Sequence, residues 1–184
     1  MRRLACALVH FPVLDRQRAV VTTAITNLDL HDIARSAFTY GLSDYFVVHP
    51  IAAQRTLAEK VREHWTSGSG ARRIPDRSPA MQNLRVVTDL DEAIRALGAD
   101  VELWSTGAAE REGSVSFEAA RQRLRTPGPP VLLLFGTGWG LADEVAERAQ
   151  LRLEPIRSPR TDGYNHLSVR AAAAIMFDRL CGLR

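Results

Sequence analysis

Three closely spaced glycines follow a strongly apolar run and form the stretch of this sequence best suited to binding a small molecule. The apolar residues 131–135 lead directly into Gly136-Thr137-Gly138-Trp139-Gly140, which we call the glycine turn. An apolar run bounded by glycines is typical of a parallel strand that is buried on both faces. Because open α/β sheets bind ligands at the carboxyl ends of such strands, we expect a ligand at the glycine turn.

The glycine spacing alone leaves the kind of ligand open. Glycines at a strand end can admit a pyrophosphate to a helix N-terminus, which would make the chain a nucleotide- or dinucleotide-binding enzyme. The spacing here is GxGxG rather than GxGxxG, and the next strand ends in Pro155-Ile156 rather than in an acid for a ribose hydroxyl. A tight turn without any ligand is the remaining interpretation.

A polar loop followed by an alanine-rich helix is the second candidate for chemistry. Residues 158–163 precede a segment that we predict to form a helix over 165–181. Asn165 and Ser168 would then lie in its first turn, where free backbone N–H groups can point at a ligand or a loop. The segment is either a capped, closely packed helix or a turn that closes a binding pocket.

Alternating apolar runs and amphipathic segments predict the elements that position these residues. The pattern favours one α/β domain over residues 1–184, with a mostly parallel sheet and helices on both faces. We predict strands over 3–9, 45–48, 84–87, 101–104, 131–135 and 151–156. We predict helices from a cap at Asn27 or Asp29 to Gly41, and over 51–65, 89–97, 116–125 and 165–181, with an irregular segment over 10–28.

The basic residues are almost all arginines, and several of them share one segment. Lys60 is the only lysine among the 24 basic residues. Arginine binds phosphates and bases bidentately, although a bias toward arginine codons would produce the same composition. We predict a mobile loop over residues 67–79, whose Arg72, Arg73 and Arg77 either contact nucleic-acid phosphates or form a solvated surface.

The remaining composition favours a cytoplasmic chain that has neither a metal site nor a membrane-spanning segment. Cys6 and Cys181 lie at opposite ends of the chain and form no CxxC pair, so we expect neither a disulfide framework nor a thiolate metal site. The apolar residues 4–9 are too few for a signal peptide. No stretch approaches the roughly 18 apolar residues of a membrane span. The five histidines show no metal-ligand spacing.

Three segments resemble the motifs of the SPOUT superfamily of RNA methyltransferases. They are residues 32–41 with the strand at 45–48, residues 134–141, and residues 165–169 with the alanine helix that follows. Their order and approximate spacing agree with the superfamily over most of the chain. The combination is most similar to a single-domain SPOUT family of S-adenosylmethionine-dependent RNA methyltransferases.

The resemblance implies a deep C-terminal trefoil knot, S-adenosylmethionine bound inside it, and a homodimer formed through the C-terminal helix. Three loops would hold the cofactor mainly through backbone groups, which glycines allow to approach closely. By position, the implied cofactor-binding residues are Ser105, Thr106, Gly107, Gly136, Thr137, Gly138, Trp139, Gly140, Ile156, Ser158, Asn165, Leu167 and Ser168.

The resemblance also implies catalytic candidates, namely Arg35, Asn165 and His166. Arg35 matches a first-motif arginine that contacts the target nucleotide, and the other two lie in the third motif. Asp29 occupies the place of an asparagine in the ribose-methylating branch, so a base nitrogen and a ribose hydroxyl both remain open as targets. A protonated nucleophile needs a proton acceptor, for which Asp29, Asp162 and His166 are candidates.

We therefore expect an S-adenosylmethionine-dependent methyltransferase that acts on RNA, either tRNA or rRNA. Single-stranded or looped RNA is favoured, because a base must reach a concave site. The alternatives are a nucleotide- or dinucleotide-binding α/β enzyme that uses residues 136–140 and a non-catalytic RNA-binding dimer with the same fold.

Overall fold

A six-stranded parallel sheet forms the centre of the molecule. The computed structural model describes residues 1–98 and 100–183. The strands are β1 (Leu4–Val9), β2 (Val13–Leu14), β3 (Val20–Val21), β4 (Tyr45–Val48), β5 (Leu84–Val87), β6 (Glu102–Ser105), β7 (Val131–Gly136) and β8 (Leu151–Arg152). The sheet has the order β5-β4-β1-β7-β6-β8, and every neighbouring pair is parallel. The predicted mostly parallel α/β sheet is therefore confirmed.

Helices cover both faces of this sheet. They are α1 (Asn27–Thr39), α2 (Ala52–Thr66), α3 (Ser69–Arg73), α4 (Ser78–Gln82), α5 (Leu90–Leu97), α6 (Phe117–Arg125), α7 (Asp143–Ala146) and α8 (Val169–Cys181). Helices α1, α2, α4, α6 and α8 contribute to one apolar core, and α5 and α7 contribute to the other. Along β1, Cys6 and Leu8 face the first core while Ala5 and Ala7 face the second, as the two-residue period of a strand requires.

The two central strands end at the same level and so define where a site can form. Val9, the last residue of β1, is paired with Gly136, the last residue of β7. Both strands are buried on both faces, which explains their continuous apolar sequences. The residues that follow them, His10 and Thr137, therefore leave the sheet side by side.

Side-chain caps set the helix boundaries, and two of them differ from our predictions. Thr26, rather than Asn27 or Asp29, caps α1, and its hydroxyl accepts a hydrogen bond from the Asp29 N–H at 3.1 Å. Helix α8 begins at Val169 instead of residue 165. Ser168 is its extended N-cap, so the helix cannot include the residues before it.

Segments that we expected to be irregular have regular structure. Residues 10–28 contain the antiparallel hairpin β2–β3. Residues 67–79, predicted to be a mobile loop, contain α3, a 3₁₀ turn over Pro75–Arg77 and the start of α4. The Arg77 guanidinium lies 4.3 Å from the centre of the Trp65 ring, and this packing holds the segment against α2. Conversely, β8 ends at Arg152 rather than at residue 156.

A fully buried histidine follows β1 directly. The Nδ1 atom of His10 lies 3.0 Å from the Thr23 hydroxyl oxygen, and its Nε2 atom has no hydrogen-bond partner within residues 1–98 and 100–183. Burial, reinforced by the neighbouring His49 ring, lowers the pKa of His10 from 6.5 to about 4. The folded chain thus keeps this imidazole neutral in mildly acidic solution.

We predict that His10 makes stability depend on pH between about pH 6.5 and about pH 4. Above this range His10 is neutral in both the folded and the unfolded chain, so its protonation does not reduce the free energy of unfolding. As the pH falls, the unfolded chain binds a proton that the folded chain excludes, so the free energy of unfolding decreases by about 2 kcal/mol at pH 5. The variant His10→Asn keeps an N–H donor and should lose this part of the dependence in urea titrations at pH 7.5 and pH 5. Equal pH dependence in the two proteins would contradict the prediction.

Candidate functional site

The carboxyl ends of β6 and β7 open into a pocket of about 530 Å³. Three segments that are distant in sequence line it, namely residues 106–108, residues 136–140 and residues 165–170, together with Ile156. Residues from the connection between β3 and α1 complete the wall, and Phe135 and Met176 add apolar surface. The volume is within the range of ordinary small-molecule sites.

Most of the residues singled out in the sequence meet at this pocket. Of the predicted cofactor-binding residues, all but Ser105 and Ser158 line it. Of the catalytic candidates, Asn165 and His166 line it, whereas Arg35 is an exposed residue of α1 that does not. The expected contact between Arg35 and a target nucleotide stays a prediction.

Close backbone packing explains the first two glycines of the turn. A Cβ atom on Gly136 would collide with the backbone nitrogen of Leu141 and would lie 2.7 Å from the carbonyl carbon of Gly140. Gly138 has a φ of +59°, and a Cβ there would lie 2.9 Å from the carbonyl oxygen of Leu14. No larger residue fits either position without movement of backbone atoms.

The β2–β3 hairpin holds the glycine turn in place. The Trp139 N–H donates to the Leu14 carbonyl oxygen at 2.8 Å, and the Leu14 N–H donates to the Gly140 carbonyl oxygen at 2.9 Å. Just beyond the glycine turn, the Ala142 N–H donates to the Pro12 carbonyl oxygen at 3.2 Å. The shape of the turn therefore depends on a segment more than 100 residues earlier in the chain.

A chain of side-chain hydrogen bonds fixes the same turn from beneath. The Thr137 hydroxyl donates to the Val9 carbonyl oxygen at 3.2 Å and also contacts the Thr23 hydroxyl. Because the hydroxyl hydrogen of Thr137 is used in the bond to Val9, the Thr23 hydroxyl donates to the Thr137 oxygen. The Thr23 oxygen in turn accepts from Nδ1–H of His10. His49 accepts from the Ile51 N–H and donates from Nε2 to the Thr23 carbonyl oxygen at 2.9 Å. Thr23 therefore joins two buried histidines to the pocket wall.

A buried carboxylate and an arginine face each other at the start of α1 and α8. Asp29 accepts from the Thr26 hydroxyl at 2.6 Å, and its second oxygen lies 3.3 Å from Nη1 of Arg170. Arg170 also lies 3.5 Å from the Asp32 carboxylate. Both Asp29 and Arg170 line the pocket, so its charges are largely compensated within the protein. Arg170 directly follows the third motif but was not among the predicted site residues.

The proton-acceptor candidates have different surroundings. Asp29 is occupied by the two contacts just described. Asp162 is exposed and does not line the pocket, and hydrogen bonds from Arg160 lower the pKa of its carboxyl group. His166 lines the pocket and is open to solvent. Of the three, His166 is best placed to meet a substrate that enters from outside.

Asn165 closes the loop before α8 and does not belong to the helix. Its side-chain amide donates to the Ile156 carbonyl oxygen at 2.8 Å. This bond brings the two ends of the 156–165 loop together at the pocket edge. The prediction that Asn165 lies in the first turn of the helix is therefore wrong, because the helix begins at Val169 after its N-cap Ser168.

The charge and shape of the pocket argue against a phosphate-rich ligand. Among its described lining residues, Arg170 is the one arginine or lysine, and it already contacts two carboxylates. The helix that follows the glycine turn, α7, has only four residues, with Asp143 and Glu144 in its first turn. None of the residues of α7 lines the pocket, so the glycine turn does not lead a pyrophosphate onto a helix N-terminus. The arrangement suits a ligand held by backbone groups and apolar surface.

Within residues 1–98 and 100–183, no group of three or more His, Cys, Asp or Glu side chains is arranged to hold a metal ion. No helix in these same residues has the length and apolar character needed to cross a membrane.

Comparison of the sequence with known proteins identifies close relatives. A family described as SAM-dependent RNA methyltransferase matches residues 3–182. A protein named tRNA (guanine-N(1)-)-methyltransferase from Oleidesulfovibrio alaskensis is 46% identical over 98% of this chain and 42% of its own length. An uncharacterized protein from Aquifex aeolicus is 35% identical over 95% of this chain and 86% of its own length. The chain thus spans less than half of the first relative.

Solved structures share the fold at low sequence identity. TrmJ from Z. mobilis has a TM-score of 0.63 and 18% identity, with coverage of 100% of this chain and 70% of its own. An AdoMet-bound rRNA methyltransferase from Sinorhizobium meliloti has a TM-score of 0.57 and 20% identity, with coverage of 97% and 55%. These likenesses confirm the SPOUT-like α/β fold that the three motifs indicated.

The family match decides between the ligands that the glycine spacing had left open, and it agrees with the lack of a phosphate site in the pocket. The cofactor of the family is S-adenosylmethionine. Because the match covers nearly the whole sequence, the chain belongs to the family of S-adenosylmethionine-dependent RNA methyltransferases.

Proposed function

We propose that this chain transfers a methyl group from S-adenosylmethionine, bound in the 530 Å³ pocket, to a tRNA or an rRNA. The observation that carries the proposal is the meeting of residues 106–108, 136–140 and 165–168 at one pocket, four of whose lining residues are glycines. The sulfonium already activates the methyl group, so the main task of the protein is to align the nucleophile with it.

The relatives support tRNA as the substrate class more than they support a particular nucleotide. The Oleidesulfovibrio alaskensis protein is named for methylation of tRNA at guanine N1, but the match covers 42% of that protein. Its named specificity therefore belongs to a much longer protein. We carry over only the class of substrate, and such a substrate implies a cytoplasmic protein, which cell fractionation would test.

We also propose that the C-terminal segment is knotted and that α8 mediates a homodimer. Helix α8 follows the edge strand β8, yet it packs against α1 and α6, so residues 153–168 must cross the sheet end. Ala171, Ala174 and Ile175 of α8 are only half-buried and leave a small apolar surface open to a partner. An experimental structure with an unthreaded chain would contradict the knot, and a monomer in sedimentation equilibrium would contradict the dimer.

Where the attacking atom of the RNA carries a proton, we assign the acceptance of that proton to His166. Its ring lies at the pocket mouth, whereas Asp29 is bound by Thr26 and Arg170. A neutral imidazole suits this role because one of its ring nitrogens carries a free lone pair.

Replacement of Gly138 by alanine should weaken cofactor binding about tenfold, because strain of roughly 1–2 kcal/mol at a left-handed residue must be relieved by moving the turn. The matched control is Gly113→Ala, which has a φ of +77° but lies outside the pocket. Isothermal titration with S-adenosylmethionine and S-adenosylhomocysteine measures both variants, with NAD as the competing ligand. Binding of NAD but not of S-adenosylmethionine to the native protein would refute the proposed function.

The variant His166→Gln should lower the maximal rate of methyl transfer by about 10²- to 10⁴-fold, the usual contribution of a general base. The substrate is RNA from cells of the source organism that lack the gene, and the measurement is the rate at which tritiated methyl groups are incorporated at saturating S-adenosylmethionine. An unchanged maximal rate would exclude His166 as the acceptor.

A further inference from the structure

The mouth of the pocket carries a group of exposed aromatic rings that the cofactor site does not explain. Trp139 and Tyr164 are each 59% exposed. The His166 ring lies between them, with centroid distances of 6.3 Å to Trp139 and 5.4 Å to Tyr164. We call these three side chains the aromatic rim. Leu167, which is 46% exposed, extends their apolar surface.

Trp139 differs from the other two tryptophans. Trp104 is completely buried, and Trp65 packs against His64 and beneath Arg77. Within residues 1–98 and 100–183, neither the Trp139 indole nitrogen nor the Tyr164 hydroxyl forms a hydrogen bond. Grouped exposed rings with free polar ends are typical of an interaction site rather than of a folded core.

The rim is mounted on backbone that is held in place. The Trp139 N–H bonds to Leu14, as described above, and the Tyr164 N–H donates to the Asp162 carboxylate at 3.1 Å. Arg160 in turn pairs with Asp162. The Trp139 backbone is thus anchored to the β2–β3 hairpin, and the Tyr164 backbone is bonded within its own loop, which lowers the entropy cost of binding a partner to the rings.

The aromatic rim lies beside the pocket in which the methyl group would be transferred. In-line transfer needs the acceptor atom within about 3–3.5 Å of the methyl carbon. If S-adenosylmethionine occupies the pocket, the acceptor must enter from solvent, and Trp139 and His166 both line the pocket and are exposed. A nucleotide that approaches the methyl group on this side of the opening therefore lies beside the rim.

We propose that the aromatic rim stacks against an unpaired base of the RNA at or beside the methylated nucleotide. The inference rests on the proposed function and adds a subsite for the substrate. RNA-binding proteins hold splayed-out bases on aromatic faces, and such stacking tolerates any base. Arg157 and Arg160 lie in the loop beside the rim, and their exposed ion pairs with Glu110 and Asp162 can be exchanged for contacts to the adjoining phosphates.

The test replaces Tyr164, which belongs to the rim but does not line the cofactor pocket. Tyr164→Leu removes the aromatic face and Tyr164→Phe keeps it. The affinity of each variant for radiolabelled tRNA from cells lacking the gene is measured in the presence of saturating S-adenosylhomocysteine. Loss of one stacked base should weaken RNA binding by Tyr164→Leu roughly 5- to 150-fold, while Tyr164→Phe stays within about twofold of the native protein.

Two further measurements make the result specific. Phe38→Leu, a change at another exposed aromatic that lies outside the pocket, should leave RNA affinity unaltered. RNA should quench the tryptophan fluorescence of the native protein, and Trp139→Phe should abolish that quenching, since Trp139 is the exposed indole at the mouth.

The outcomes separate this inference from the proposed function. Failure of the native protein to bind S-adenosylhomocysteine would refute the proposed function itself. Normal S-adenosylhomocysteine binding with equal RNA affinity for Tyr164→Leu and the native protein would overturn the rim as a base platform. Conversion of a dimer to a monomer by Tyr164→Leu, seen in sedimentation, would assign the rim to a contact between two copies of this chain and overturn the inference as well.

Discussion

The close approach of backbone to backbone at Gly136 is the constraint on which the rest of the site depends. β1 and β7 end in register, and the chain must turn at once within a space that leaves no room for a Cβ atom. Two separate contacts then fix the turn, namely the hairpin through Leu14 and the hydroxyl chain through Thr137 and Thr23. A rigid turn exposes its backbone groups in a fixed pattern, and such preorganisation favours recognition of a cofactor without charged side chains.

Much of the fold could be predicted because its central strands are buried on both faces and so have continuous apolar sequences. The run at 45–48 coincides with β4, and 131–135 falls within β7. The edge strand β5 coincides with the predicted 84–87 although Arg85 in it is exposed. Helices α5 and α6 begin beside their caps Asp89 and Ser116, which are local signals. Composition misled where tertiary contacts matter: Gly70 is typical of a loop, yet it lies in α3 and packs so closely against the His64 and Trp65 side chains that a Cβ would collide with them.

The candidate site could also be predicted in part from local sequence. The resemblance to the three motifs identified the glycine turn and residues 165–168, because each motif is a contiguous stretch of sequence. Thr23 and Arg170 reach the pocket through partners that are distant along the chain, His10 and Asp29 among them, and no local pattern marks such pairs. Arg35 shows the converse, because its position in a motif does not bring its side chain to the pocket.

Amide hydrogen exchange with and without S-adenosylhomocysteine tests most directly whether the three converging segments form the cofactor site. Exchange should slow together in residues 106–108, 136–140 and 165–168, because ligand binding stabilises the closed arrangement of all three. A second cleft, lined by Phe11, Leu90 and Arg148 among others, should show no change. Protection confined to that cleft, or absent from the three segments under saturating ligand, would contradict this account.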